Sequence, residues 1–272
     1  MAMGRATHLV NPRGLLIVNP RSGTGRPEPA EIERQAAVRG IRVHMLSPGD
    51  DVRAVAREAD GPIGIAGGDG SLGLVAEVAL ERDLPFVCVP FGTRNHFARD
   101  IGLDRNDPVA ALAAFDAGRE LRIDVGRVGT RVFLNNVSLG LYAHLVHRRE
   151  AHRHRRDAFA RLRALWLSTH APSPEPFVVD GSQISARIVL VANNAYDVSL
   201  FDVGARTRLD EGKLHLYVAK DWLPRTWDER VGERFTIERA GGTRAAVDGE
   251  PVELDSRVEL TIEPRALRIL VP

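Results

Sequence analysis

The stretch PIGIAGGDGSLGLVAEVAL, Pro62 to Leu80, decides how the rest of the chain is read. Its first five residues are apolar or small, as in a strand buried on both faces. Apolar residues then recur at Leu72, Val75, Ala76 and Ala79, the spacing of one helix face. Between the two halves lies Gly67-Gly68-Asp69-Gly70-Ser71. A glycine link from strand to helix is either a tight turn or a cradle whose main-chain amides approach a phosphate at the positive end of a helix. Asp69 is the unusual member, because a carboxylate beside phosphates needs a cation between them. Such a residue fits a Mg²⁺–nucleotide site. The turn is not the G-x-x-x-x-G-K-[ST] loop, and no lysine is nearby to complete one. Glycine content by itself leaves both readings open.

Working outward, GLLIVNP (14–20) reads as a strand closed by Asn-Pro, followed by a helix near 29–39 and the strand IRVHML. A short helix near 51–59 precedes the central stretch, whose helix is expected over 71–82, and LPFVCVP follows as another strand. After FGTRNHFARDIGL comes a further helix, DPVAALAAFDAG. Strands alternating with helices predict a parallel sheet covered by helices. Near residue 121 the rhythm changes to strands: LRIDVGRVG, RVFLNNVSLG, ARIVLVANNAY, GKLHLYVA, RFTIER, AAVDGEPVEL, RVELTIEP and ALRILVP. Turn pairs such as Asp-Gly separate them, as in an antiparallel sandwich. The expected organisation is an α/β half over 1–122, completed by 263–272, and a β-sandwich half over 123–262 with a helical insertion at about 143–169.

Composition narrows the function classes. The 272 residues are 44% hydrophobic and 27% charged, and 37 basic against 36 acidic residues leave a net charge of +1. That balance gives no global field for nucleic acid. Only Lys213 and Lys220 among the basic residues are lysine, a bias we attribute to codon usage. The lone Cys88, inside an apolar run, excludes an internal disulfide framework and fits a reducing cytoplasm. No signal-like leader and no run of roughly 18 apolar residues is visible, so the expectation is a cytoplasmic protein, soluble or peripheral at the inner face of a membrane.

Asn-Pro-Arg-Ser-Gly after the first strand, GGDGS after the third and PFGTRNHFA after the fourth fall at the carboxyl ends of strands, where open parallel sheets bind ligands. Together with IDVGRV, FLNNVSLGL, RLDEGKLHL and VDGEPVEL, in that order over about residues 14–272, they resemble the catalytic domain of the diacylglycerol kinase family, which includes sphingosine and bacterial lipid kinases. That resemblance implies a nucleotide-binding α/β domain followed by a β-sandwich, and transfer of a phosphate from ATP, with Mg²⁺, to a lipid hydroxyl. It places the nucleotide on Asn19, Ser22, Met45, Gly67, Gly68, Asp69, Gly70, Ser71, Leu72, Gly73, Thr93 and Asn95. Glu250 of Asp-Gly-Glu matches the proton acceptor, Asp69 the organiser of metal and phosphates, and Asp124 a carboxylate of the cleft network. A second, structural Mg²⁺ would fall on the Glu211 side chain and the carbonyls of Arg208 and Lys213. Apart from the resemblance, the spacing of Asp248-Gly249-Glu250 favours an exposed hairpin turn, with a rigid mount for a base as the other reading.

The chain departs from the family pattern at several points. Asn-Asp becomes Asn95-His96, a small residue becomes Arg94, a threonine falls on Met45, and the Asp-Gly of the structural metal site is Glu211-Gly212. His96 and Arg94 fit an active kinase with altered metal or pH demand. They also fit a regulatory nucleotide or lipid binder with little turnover, and His96 as a mere packing residue. A different acceptor is a further alternative, since NAD kinase and phosphofructokinase share G-G-D-G.

Residues 147–163, HRREAHRHRRDAFARLR, hold seven arginines and three histidines against two acids, with Phe159, Leu162, Leu165 and Trp166 at helical spacing. Such a segment fits attachment to an anionic bilayer, a solvated helix face or a homodimer contact. No aromatic platform accompanies the arginines, which argues against nucleic acid.

Overall fold

The computed structural model describes residues 13–23, 27–93, 95–140, 174–197, 204–220, 227–240 and 242–272. The basic segment 147–163, the expected helical insertion and Arg94 lie outside them.

The first half alternates β1 (Leu15–Val18), α1 (Pro29–Val38), β2 (Arg42–Met45), α2 (Val52–Ala56), β3 (Ile63–Gly67), α3 (Asp69–Glu81) and β4 (Phe86–Pro90). The strands lie in the order β2-β1-β3-β4, all parallel. Successive residues of each strand face opposite sides. Leu15, Ile17, Ile65 and Cys88 therefore pack with Leu72, Val75 and Phe97. Leu16, Val18, Val87 and Val89 pack with Ile32, Ala36 and Phe115 on the other face. Burial on both faces explains why these strands read as unbroken apolar runs. α1 opens on Pro29 in its first turn, where a missing N–H costs nothing.

Three short helical turns follow: α4 (His96–Asp100), α5 (Pro108–Ala111) and α6 (Ala114–Ala117). The single helix expected over DPVAALAAFDAG is thus broken at Leu112 and Ala113.

The second half contains β5 (Arg119–Val128), β6 (Arg131–Phe133), β7 (Asn136–Gly140), β8 (Glu175–Val179), β9 (Ser182–Ala186), β10 (Ile188–Asn193), β11 (Leu214–Ala219), β12 (Asp228–Gly232), β13 (Arg234–Glu238), β14 (Thr243–Val247), β15 (Glu250–Leu254) and β16 (Arg257–Val271). One sheet of six strands, β12-β11-β10-β7-β14-β15, packs on part of a sheet of ten that begins with the parallel strands and continues β4-β16-β13-β8-β9. Val137, Leu139, Val189 and Leu216 from one sheet meet Val128, Phe177, Phe235 and Leu260 from the other in a single core.

β16 joins the halves. Its end runs parallel to β4 (Ile269 beside Phe86), while its start is antiparallel to β13. β5 follows it along most of its length, with a shift in register between Glu263 and Leu267. Pro264 made the sequence read as two strands. The bulge lets one strand pass through instead, with Arg265 taking a φ of 51°. The boundary expected near residue 122 falls inside β5, so the halves share a sheet across it. The β8–β9 hairpin and β12 were not anticipated.

Candidate functional site

Three loops meet at the carboxyl rim of the parallel strands. After β1, the Asn19 side-chain oxygen accepts the Arg21 N–H (3.1 Å) and Ser22 N–H donates to the Asn19 carbonyl (3.0 Å), giving a compact turn. After β3, Gly68 forms the N-cap of α3 without any side-chain cap, which leaves first-turn amides of a 13-residue helix for other partners. Ser71 Oγ donates to the Gly68 carbonyl (2.9 Å). After β4, Gly92 crosses Gly68 so closely that a Cβ at 92 would collide with the Gly68 Cα and lie 2.7 Å from Asn95 Oδ1. Asn95, 4% exposed and left-handed at φ 49°, locks that crossing. Its Oδ1 accepts Gly92 N–H (2.8 Å) and its Nδ2 donates to the Gly92 carbonyl (2.9 Å). Thr93 stands exposed beside it, and Met45 closes β2, paired with Val18.

The Asp69 carboxylate bridges two of these loops. Oδ2 accepts the His96 N–H (3.0 Å) and Oδ1 the Phe97 N–H (3.1 Å). Asp69 thereby caps α4, whose own N-cap residue Asn95 supplies no side-chain cap. Each oxygen retains a further lone pair. The replacement of an acid by His96 leaves this main-chain contact intact. The Leu72 side chain is 1% exposed and belongs to the core, so only its main chain could serve a ligand.

Facing the glycine turn is the β14–β15 hairpin. Its two-residue turn, Asp248 (φ 49°) and Gly249 (φ 84°), has both φ values positive, as a tight hairpin with right-handed twist demands. Glu250, the first residue of β15, lies directly against Gly70, where an added Cβ would collide with its Cγ and carboxylate. Residues 70 and 250 thus meet, 180 positions apart in sequence. They border a small open cleft, also lined by Arg53, Gly73, Glu77 and Arg131. Arg53 is paired there with Glu77 (Nη2 to Oε2, 2.6 Å).

Asp248 was missed by sequence reasoning. Its carboxylate turns inward and accepts N–H groups from Leu134 (2.8 Å), Asn135 (2.8 Å) and Asn136 (3.0 Å). These bonds interrupt the stretch expected as one strand over RVFLNNVSLG, separating β6 from β7. Burial pushes its pKa up to about 7 despite the three donors, and the charge of Asp69 adds to the rise. The sequence showed only an Asp-Gly turn, and nothing in that pair reveals which way the side chain points.

Asp124 is not brought into the cleft. It is 1% exposed, and its oxygens accept N–H from Gly212 (2.6 Å) and Arg265 (2.8 Å), clamping the bulge of β16 to the loop before β11. At the expected second metal position the Lys213 carbonyl accepts Asn194 N–H (3.1 Å), and the Arg208 guanidinium pairs with Asp210 (3.0 Å). Glu211 Oε2 accepts Ala195 N–H (3.2 Å) and meets His215 Nε2 (3.2 Å). Among the described residues no group of three or more His, Cys, Asp or Glu is disposed to hold a metal ion. The Asp69 position is compatible with Mg²⁺ in another way, since that ion is commonly held by one or two carboxylates together with phosphates and waters.

A parallel sheet whose glycine-lined rim faces an acid-bearing hairpin of a β-sandwich defines a two-part α/β protein with a ligand cleft between the parts. Residues 13–128 match the diacylglycerol kinase catalytic domain. Two Mycobacterium tuberculosis diacylglycerol kinases (strains CDC 1551 / Oshkosh and ATCC 25618 / H37Rv) are each 31% identical over 184 residues, a match covering 61% of this chain and 59% of theirs. The crystal structure of a diacylglycerol kinase from Bacillus anthracis str. Sterne superposes with a TM-score of 0.67 at 20% identity, over 95% of this chain and 96% of that one. Over residues 13–128 the chain is thus similar to the diacylglycerol kinase catalytic domain, and it spans about three-fifths of the curated relatives' length.

Proposed function

We propose that this protein is a lipid kinase that transfers the γ-phosphate of ATP, with Mg²⁺, to the hydroxyl of a diacylglycerol-like or sphingoid lipid. The observation that carries this reading is the seating of Glu250 on Gly70, beside Asp69 and the uncapped start of α3. The amides of that first turn, and the loop held by Asn95, bind the phosphates. Asp69 would hold Mg²⁺, which would supply the charge offset between carboxylate and phosphates. Glu250, on a rigid two-residue hairpin, accepts the proton of the lipid hydroxyl as its oxygen attacks the γ-phosphorus, the bond to the β,γ-bridging oxygen breaks and ADP leaves. Geometry does most of the remaining work, because phosphoryl transfer depends chiefly on in-line positioning and charge stabilisation.

A membrane-embedded acceptor requires contact with a bilayer. The arginine-rich residues 147–163 would supply it, at about 1 kcal/mol per basic residue near an anionic surface. Among the described residues no helix is long and apolar enough to cross a membrane.

The test is a transfer assay with γ-labelled ATP against diacylglycerol, sphingosine, NAD and sugar acceptors, with and without Mg²⁺. Label is expected in a lipid product only when Mg²⁺ is present. Label in NAD or a sugar would reassign the acceptor, and ATP binding without any labelled product would favour the regulatory binder.

A further inference from the structure

A buried arginine closes a ring of polar contacts around the cleft. Arg206 and Asp100 have side chains with no exposed surface, and Arg206 Nε donates to Asp100 Oδ2 (2.7 Å). Asp100 is the last residue of α4, the helix whose first amides are held by Asp69. The other face of the guanidinium reaches the β6–β7 corner. Nη2 donates to Asn135 Oδ1 (2.8 Å), and Nη1 to the Asn193 carbonyl (3.0 Å) and the Leu134 carbonyl. Leu134 and Asn135 are two of the three residues whose N–H groups hold Asp248, and Asp248 begins the turn that delivers Glu250 to Gly70. The guanidinium also lies over the Tyr196 ring (5.5 Å to its centre), while the Tyr196 hydroxyl accepts from Asn136 Nδ2 (3.2 Å). The path from Asp69 through α4, Asp100, Arg206, the 134–136 corner and Asp248 therefore returns to the glycine turn from its opposite side.

We propose that Arg206 is a positioning residue that locks α4 and the β6–β7 corner together, fixing the separation between Asp69 on the nucleotide side and Glu250 on the hairpin side. Arginine suits this task because its planar fork serves several fixed acceptors at once, which a lysine ammonium cannot match at those positions. No other described element ties Asp100 to the corner through one side chain.

The kinetic part rests on the kinase reading; the structural part does not. The comparison uses the full chain as wild type, Arg206→Met, Arg206→Lys and the double variant Asp100→Leu/Arg206→Met. Removing only Arg206 leaves the buried Asp100 with Arg99 as its one remaining charged partner (Nε to Oδ1, 2.9 Å), whereas the double variant removes both members of the Arg206–Asp100 pair. Hydrogen exchange over 132–136 and 244–254 is expected to rise in all three variants, with α1 unchanged. The kcat for phosphotransfer is expected to fall about 100-fold in Arg206→Met, the scale of a catalytic group misplaced by about 1 Å, with KM for ATP within about threefold of wild type. The double variant should regain thermal stability but not kcat. On a Glu250→Ala background, Arg206→Met should lower kcat no further. Unchanged exchange in 244–254, or recovery of kcat along with stability in the double variant, overturns the proposal. Should Arg206→Met not fold, Arg206→Lys carries the same readouts. If the wild type transfers phosphate to no acceptor, the kinase reading falls and the exchange pattern alone decides the role of Arg206.

Discussion

At the scale of single residues, the site depends on which side chains are missing as much as on which are present. Gly70 leaves the space that the Glu250 carboxylate fills, and only the far end of a flexible side chain opposes a Cβ there. Gly70→Ala should therefore keep the melting temperature within a few degrees while lowering transfer about 100-fold, by pushing Glu250 aside. Equal activity in that variant would show that the contact is incidental. Gly92→Ala meets backbone instead, and overpacking there should cost about 1–3 kcal/mol in thermal denaturation. Asp248 makes a pH prediction. Its folded pKa, raised to about 7 from 3.8, means that the folded state binds the extra proton between those values. Its contribution to stability is complete below about pH 4, declines as pH rises toward 7 and is flat above. The stability difference between wild type and Asp248→Asn should shrink from pH 5 to pH 8; a difference that grows would contradict the assignment. The glycines and Glu250 were legible because the motifs preserve residue type. Asp248 was not, because its role depends on the direction of one side chain.

At the scale of elements, α4 illustrates what sequence cannot show. Its five residues carry no capping side chain of their own, and Asp69, 27 positions before His96, supplies both acceptors. Asp69→Ala should lower stability by about 1 kcal/mol, the usual worth of an N-cap. Asp69→Asn, which keeps acceptor capacity but loses charge, should regain part of that stability while remaining inactive. Full activity in Asp69→Asn would remove the carboxylate from the phosphate site. The parallel strands were legible because burial on both faces writes itself as an apolar run. The bulged β16 was not, since Pro264 signals a break at the level of the strand and the neighbouring strands override it.

At the scale of the whole molecule, the cleft exists because two sheets share strands. β5 and β16 run from the parallel region into the sandwich, and Asp124 fastens the bulge where they pass. A buried carboxylate that accepts two main-chain N–H groups contributes through charge-assisted bonds of about 1.5–3 kcal/mol each. Asp124→Ala should lower the melting temperature in one cooperative step, with residual transfer in the protein that stays folded. Abolished transfer in a fully stable variant would instead return Asp124 to the chemistry. The order of motifs along the chain announced an α/β half and a β-rich half; that the two are continuous through a common sheet depends on distant pairings, such as Arg119 with Val271, 152 positions apart, which no local pattern encodes.

The central claim is that a hairpin carboxylate and a glycine-lined phosphate rim form one phosphotransfer site. Comparing wild type with Glu250→Ala, by calorimetric titration of ATP alongside transfer to diacylglycerol, tests it most directly. The account predicts a loss of transfer of about 10²–10⁴-fold, the range for removing a general base, with the dissociation constant for ATP changed by less than about threefold. Transfer that survives the substitution, or an ATP affinity that falls in step with it, would contradict the account.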